Sequence, residues 1–315
     1  MKNLEQQRPL FIIGCYRSGT TLLRRILNTH PNIYIAKETQ FLINISHCPT
    51  TIHKEYTKKE IENLFKYAKK FLKRNGWEKL PNVEDFLKTG ERPTLSNLFK
   101  FICLLEKPNK KKIFYWGDNT PRYVFIGASL FDLYSNIRFI HIVRDPRDVF
   151  SSSKISNIGG YTAFTVALDW VQRIGAAFCL EKIVGTSQFL TIRFEELVLN
   201  PERTLEKVSK FLGIENKFHP NVIDIETESI AKRFPHHRKL VRPLDKSEIG
   251  IHIKTLTLKE RKIIESITFN FLRFFGYSIE CYNYSFAIKK FHNLAIEYLI
   301  NSLLNLKRKF IYFLK

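Results

Sequence analysis

An arginine set between two glycines and followed at once by two threonines has the chemistry of an anion-gripping turn. Residues 9–21 read Pro-Leu-Phe-Ile-Ile-Gly-Cys-Tyr-Arg-Ser-Gly-Thr-Thr. Gly14 and Gly19 are separated by four residues, the spacing of Walker-type phosphate loops, but Thr20 stands where those loops carry lysine. The cation lies inside the loop instead, as Arg17, whose planar fork can grip two oxygens of one anion. Leu10 to Ile13, just before the loop, is a short apolar run of the kind buried in a parallel sheet. Leu22, Leu23, Ile26 and Leu27 then follow at helical spacing. A turn at such a junction meets the first N–H groups of a helix, which lack internal partners and lie at the positive end of its dipole. The bare pattern equally describes an ordinary tight turn with a solvated arginine.

A second constellation follows another apolar run. Ile137 to Val143 reads as a buried strand that delivers Arg144-Asp145-Pro146-Arg147-Asp148-Val149-Phe150-Ser151-Ser152 into a helix with Pro146 in its first turn. Arg144 ends the strand, and Ser152 lies eight residues later, about two helical turns on. From the residues alone, the spacing equally fits Arg144 or Arg147 neutralising Asp145 or Asp148 across the turn.

The string Arg17-Ser18-Gly19-Thr20-Thr21-Leu22-Leu23, placed directly after a strand, resembles the 5′-phosphosulfate loop of sulfotransferases that use 3′-phosphoadenosine-5′-phosphosulfate (PAPS). The resemblance implies that Arg17, Ser18, Gly19, Thr20 and Thr21 hold the 5′ end of the donor, with Arg17 also stabilising charge during transfer. It implies in turn that Arg144 and Ser152 bind the donor's 3′-phosphate. The stretch from Pro9 to Thr39, with His30-Pro31-Asn32 and Glu38-Thr39, is most similar to tyrosylprotein sulfotransferases and related bacterial enzymes. In that branch the glutamate before the threonine is the catalytic base, a role carried here onto Glu38. The chemistry is reasonable, since an acceptor hydroxyl must lose its proton as it attacks sulfur. As a bare residue, Glu38 would also suit the start of a helix near Thr39.

Two departures accompany the resemblance. Phe194, opening Phe194-Glu195-Glu196-Leu197-Val198, replaces a family tyrosine on the donor nucleotide and keeps only the apolar contact. In Trp116-Gly117-Asp118-Asn119-Thr120-Pro121, Asn119 stands where relatives usually carry lysine, with Arg122 as a nearby cation. The residues alone would read Asn119 and Thr120 as caps for a helix beginning at Pro121. A loop from His236 to Asp245, including Arg242, resembles the segment that closes over the 3′-phosphate end of the donor.

These motifs need a frame that brings strand ends together. The expectation is a single α/β domain over residues 9–277, with a parallel sheet of four or five strands flanked by helices and sulfotransferase topology. Its elements include a strand at Gln188 to Arg193, a helix from Pro201 to Leu212 closed by Gly213, and an amphipathic helix over Lys58 to Arg74. Residues 278–315 form a basic tail, with an apolar face running from Phe286 to Phe313 among Lys289, Lys290, Lys307, Arg308 and Lys309. That pattern suits a helix on an anionic membrane surface, and equally one packed on the body or on another subunit; it is too interrupted by charge to span a bilayer.

The chain has 315 residues with 51 Lys+Arg against 30 Asp+Glu, a formal charge of +21. Such a balance attracts anions in general, including the donor, an acidic acceptor or an anionic surface, with no motif for specific nucleic-acid recognition. Cys15, Cys48, Cys103, Cys179 and Cys281 form no CxxC pair, so neither a zinc knuckle nor a disulfide framework is indicated, and no metal is expected. Cys15, inside the donor loop, is expected to be sensitive to thiol reagents. The polar Met1 to Arg8 leads at once into the first strand, which points to a reducing, cytoplasmic location. The expected reaction moves a sulfuryl group from PAPS to a hydroxyl acceptor, leaving 3′-phosphoadenosine-5′-phosphate (PAP). The rivals are a phosphate-loop kinase or hydrolase and a non-catalytic basic surface-binding protein on the same fold. Neither the acceptor nor the oligomeric state is legible.

Overall fold

The computed structural model describes residues 7–44, 54–108, 112–156, 162–221 and 244–281. Arg242, Cys48 and nearly all of the basic tail, from residue 282 on, lie outside the described residues. Along the chain the elements run β1 (Arg8–Gly14), α1 (Thr20–Thr29), β2 (Ile33–Ala36), α2 (Lys58–Arg74), α3 (Val83–Leu87), α4 (Leu95–Leu104), β3 (Tyr115–Asp118) and α5 (Gly127–Leu133). They continue as β4 (Arg138–Val143), α6 (Pro146–Ile155), α7 (Ala163–Val184), β5 (Phe189–Arg193), α8 (Phe194–Leu199), α9 (Pro201–Leu212), α10 (His252–Thr255) and α11 (Leu258–Phe274).

All five strands are parallel, in the order β2-β3-β1-β4-β5. The apolar strand at the amino end of the chain therefore takes the centre of the sheet. Side chains alternate across a strand, so Leu10 and Ile12 belong to one apolar layer with Leu23, Ile26 and Leu27 of α1 and Leu205, Val208 and Leu212 of α9. Phe11 and Ile13 belong to the other, with Phe65 and Leu72 of α2, Phe99 and Ile102 of α4, and Ala177 and Leu180 of α7. Two buried faces account for the unbroken apolar runs seen in the sequence. The register pairs Gly14 with Ile142, Ala36 with Asp118 and Val143 with Arg193, which sets the carboxyl ends of neighbouring strands side by side. Ligands of open parallel sheets bind at that edge, where the strand order turns back on itself.

Local sequence explains the helix ends. Thr57 and Glu60 form a capping box on α2, whose buried face is Ile61, Phe65, Ala68 and Leu72, so its many lysines form a solvated face. Pro201 opens α9 and Gly213, at φ 68°, closes it.

The described residues fall into two compact units, one of residues up to Arg144 with Gln172–Ile249, the other of Asp145–Val171 with residues from Gly250 on. In the second unit Trp170 packs edge-on against Phe271 and Phe275. Arg147, 1% exposed, forks onto Asp145 at 2.7 Å and reaches Glu265 at 2.6 Å. Glu265 also accepts the Cys281 N–H at 2.6 Å. Asp145 and Glu265 hold the Arg147 guanidinium charged, against the cost of its burial. Arg147 thus neutralises a turn carboxylate, Asp145. Removing it leaves two acids in a desolvated site without their cation, so Arg147→Ala is expected to lose about 3–5 kcal/mol of unfolding free energy by chemical denaturation.

Candidate active site

The loop after β1 is the first part of the site. Gly14 lies at φ 152° and a Cβ there would stand 2.5 Å from the Ile142 carbonyl of β4; Gly19, at φ 94°, would carry a Cβ 2.5 Å from the Phe194 ring. Both positions demand glycine. Arg17 also occupies the left-handed region, at φ 62°, seldom taken by a side chain outside functional turns. Gly19 is the N-cap of α1, Thr20 begins it, and no acidic residue lies in its first turn. The Ser18 hydroxyl is fully buried and has no hydrogen-bond partner among the described residues. A buried hydroxyl beside helix amides and an arginine matches the needs of a phosphate-type ligand.

Arg144, at the end of β4, is 4% exposed. Its guanidinium donates to the Arg17 carbonyl at 3.0 Å and the Glu248 carbonyl at 2.6 Å, lies 3.6 Å from the Glu248 carboxylate, and stacks 4.4 Å from the Phe194 ring centroid. The Arg17 guanidinium is held below its ordinary pKa by burial and then by the charge of Arg144. Two cations that repel each other favour an anion between them.

The ends of β2 and β3 build the other part. Glu38 is half-buried; its carbonyl accepts from the Asn75 amide at 2.9 Å and the Trp77 indole at 3.4 Å, and Gln40 donates to its carboxylate at 3.2 Å. Burial pushes its carboxyl up to about 7, Asp118 adding to the rise while Gln40, Arg24 and Arg173 oppose it. Asp118, at the end of β3, accepts from the Thr39 amide and hydroxyl and from the Thr120 amide at 2.5–3.1 Å. Burial still raises Asp118 to about 6. Thr39 also meets the Tyr123 hydroxyl at 2.8 Å. A carboxyl poised near neutrality is what a general base requires.

The match to the Sulfotransferase family spans residues 9–220, about two thirds of the chain. The chain belongs to the sulfotransferase family. The chain is 25% identical over 222 residues to a protein-tyrosine sulfotransferase of Drosophila melanogaster, covering 66% of this chain and 39% of that protein. It is 26% identical over 220 residues to protein-tyrosine sulfotransferase 2 of Gallus gallus, covering 66% and 52%. It is 22% identical over 246 residues to an omega-hydroxy-beta-dihydromenaquinone-9 sulfotransferase of Mycobacterium bovis, covering 65% and 63%. The chain thus spans from 39% to 63% of the length of these curated relatives. The fold is similar to the sulfotransferase domain of the Synechococcus PCC 7002 olefin synthase, with a TM-score of 0.57 at 20% identity, covering 89% of this chain and 99% of that one. A sulfotransferase domain from the curacin biosynthetic pathway gives 0.56 at 19% identity, covering 87% and 99%.

Several sequence expectations take a different form in the structure. No helix starts at Thr39, so Glu38 caps nothing; a single 3-10 turn, Leu42–Asn44, follows instead. Thr120 precedes the 3-10 turn Pro121–Ile126 but makes no side-chain cap, and its hydroxyl accepts the Gln40 amide at 3.2 Å. Asn119 is 2% exposed with its Oδ1 unpartnered among the described residues, whereas Arg122 is exposed. Cys15 is only 3% exposed, which limits its access to thiol reagents. Ser152 lies buried on α6, in the second unit. Asn75, Trp77 and Arg173 lie away from every motif, and Glu248 lies three residues beyond the His236–Asp245 segment, so no local pattern marks them. Among the described residues no three His, Cys, Asp or Glu side chains are grouped to hold a metal ion.

The raised Glu38 carboxyl has a thermodynamic consequence. Between its ordinary value of 4.5 and about 7, the folded state holds a proton that the unfolded state has released, so stability falls as pH rises through this window. Denaturation at pH 5 and pH 8 is expected to show a loss on the order of 1–3 kcal/mol in the wild type relative to Glu38→Gln.

Proposed function

We propose that this sulfotransferase moves a sulfuryl group from PAPS to an acceptor hydroxyl, with PAP as the product. The observation that carries the reading is the convergence on one sheet edge of an anion loop at the start of α1, a buried arginine clamped against that loop, and a carboxyl raised to about 7. PAPS supplies the sulfuryl group, whose bond to the 5′-phosphate oxygen breaks as the bond to the acceptor oxygen forms.

Arg17, Ser18, Gly19, Thr20 and Thr21 hold the 5′ end of the donor, with the α1 amides and Arg17 neutralising charge on the departing oxygen. Ser18 fits this assignment through its buried, unpartnered hydroxyl. Arg144 recognises the 3′-phosphate, and Phe194, stacked on it, presents an apolar face to the nucleotide. Ser152 and Arg242 keep the roles that the resemblance implies. Glu38 takes the acceptor proton. Among the described residues Cys15, Cys103, Cys179 and Cys281 form no disulfide, in keeping with a reducing compartment. The acceptor is a hydroxyl compound, a glycan, a lipid, a small metabolite or a peptidyl tyrosine, and the names of the relatives add an omega-hydroxy-dihydromenaquinone to the screen.

PAP should raise the melting temperature more than AMP does, and Arg144→Ala should weaken PAP binding by about 1.5–3 kcal/mol in a thermal-shift titration. Equal stabilisation by the two nucleotides would remove the 3′-phosphate assignment. Because a base must be ionised and Glu38 ionises only near 7, turnover of labelled PAPS should climb with pH through about 7. Glu38→Gln should abolish that limb and lower turnover by roughly two to four orders of magnitude, with PAP binding intact.

A further inference from the structure

Among the described residues two side chains other than glycine take a positive φ, Arg17 of the anion loop and Gln40, at 52°. Such a conformation persists only where the surroundings over-determine it, and it gathers at functional sites. The neighbours of Gln40 show how it is held. Thr39 is tied to Asp118 by its amide and its hydroxyl, and Phe41, fully buried, stacks on Phe99 with ring centroids 6.2 Å apart. The Phe41 amide donates to the Thr39 hydroxyl and the Leu42 amide to the Tyr123 hydroxyl, each at 3.3 Å. The backbone N–H of Gln40 itself donates to the Thr120 hydroxyl at 3.2 Å. With both flanks fixed, the chain turns through Gln40 and its side chain folds back to Glu38, two residues earlier.

The turn delivers a donor to the base. Nε2 of Gln40 donates to Oε2 of Glu38 at 3.2 Å, and among the described residues this is the amide's one hydrogen bond. Glycine and asparagine take a left-handed backbone more readily, but glycine carries no donor and asparagine is one methylene shorter. Asn75 and Trp77 hold the carbonyl of Glu38, so its backbone is fixed from one side and its carboxylate from the other. The described residues place no donor on Oε1 of Glu38. A carboxylate held at one oxygen keeps its other oxygen in a constant direction, which proton transfer demands.

We infer that Gln40 is a positioning residue whose left-handed turn aims its amide at Oε2 of Glu38 and so leaves Oε1 to receive the acceptor proton. The inference rests on Glu38 being the base, and its test separates the two claims. Gln40→Gly accepts the left-handed backbone and removes the amide, while Gln40→Met keeps the length and removes the donor. The carboxyl resonance of Glu38, assigned in 13C-glutamate-labelled protein by its loss in Glu38→Gln, is titrated in the wild type and both variants. Asp118 from β3, Arg24 from α1 and Arg173 from α7 also bear on Glu38 by charge, and all three stay in place in these variants. A hydrogen bond to the ionised form favours that form, so the midpoint should rise by about one pH unit in either folded variant. Turnover of labelled PAPS should fall about tenfold even on the alkaline plateau, where Glu38 is ionised but no longer held, with PAP affinity unchanged.

An unchanged midpoint in a folded variant would overturn the inference, and so would wild-type turnover on the plateau. A loss of PAP affinity matching the loss of turnover would overturn it too, since it would place the effect on the anion loop. Near-normal turnover in Glu38→Gln would instead strike the assignment of the base, while the carboxyl titration, which needs no donor nucleotide, still reads the contact with Gln40.

Discussion

The site depends on how tightly the loop after β1 is clamped to the sheet. Gly14 passes so close to the Ile142 carbonyl that no Cβ fits, and Gly19 abuts the Phe194 ring in the same way. The carbonyls of Gly14 and Arg17 are taken up by Arg173 and Arg144. A loop held through its carbonyls and glycines has little conformational freedom left to lose when it binds an anion, which is the physical content of preorganisation. Central placement of β1 makes the clamp possible, because only a strand with neighbours on both sides has its loop flanked by other strand ends.

Electrostatic tension organises the remainder. Arg17 and Arg144 are like charges in a poorly solvated place, offset in part by the Glu248 carboxylate, and Glu38 and Asp118 are like charges too. The cationic pair is relieved by an anion, and the acidic pair by retaining a proton near neutrality. These are the two tasks of a transfer reaction between an anionic donor and a hydroxyl acceptor. Asp118 is spent on structure, gathering Thr39 and Thr120 by hydrogen bonds. Among the described residues Glu38 receives one side-chain donor, from Gln40, and is the freer of the two acids to exchange a proton.

Charged residues close together in sequence take different partners. Arg144 and Arg147 are three positions apart, yet Arg144 joins the anion loop while Arg147 is consumed by Asp145 and Glu265. Neighbouring positions at a strand–helix junction project differently, and the partner of Arg147 on α11 lies 118 residues downstream. Spacing could not foretell that choice. Asn119 and Thr120 read as caps, but a buried carboxylate one residue earlier draws the Thr120 amide, and its hydroxyl serves Gln40 instead.

The sequence by itself determined whatever local periodicity and short-range chemistry encode. Continuous apolar runs dictated buried parallel strands, Pro146 and Pro201 opened helices, Gly213 closed one, and Gly14 and Gly19 marked the tight turn from β1 into α1. Candidate residues Arg17, Arg144 and Glu38 were legible because each sits at a strand end. Tertiary structure alone decided the strand order, the grip of Asn75 and Trp77 on Glu38, and the approach of Arg173 to Gly14. Those contacts join residues 37 to 159 positions apart. They arise from the packing of whole helices onto the sheet, which no window of sequence contains, and burial by that packing is what moves the Glu38 carboxyl to about 7.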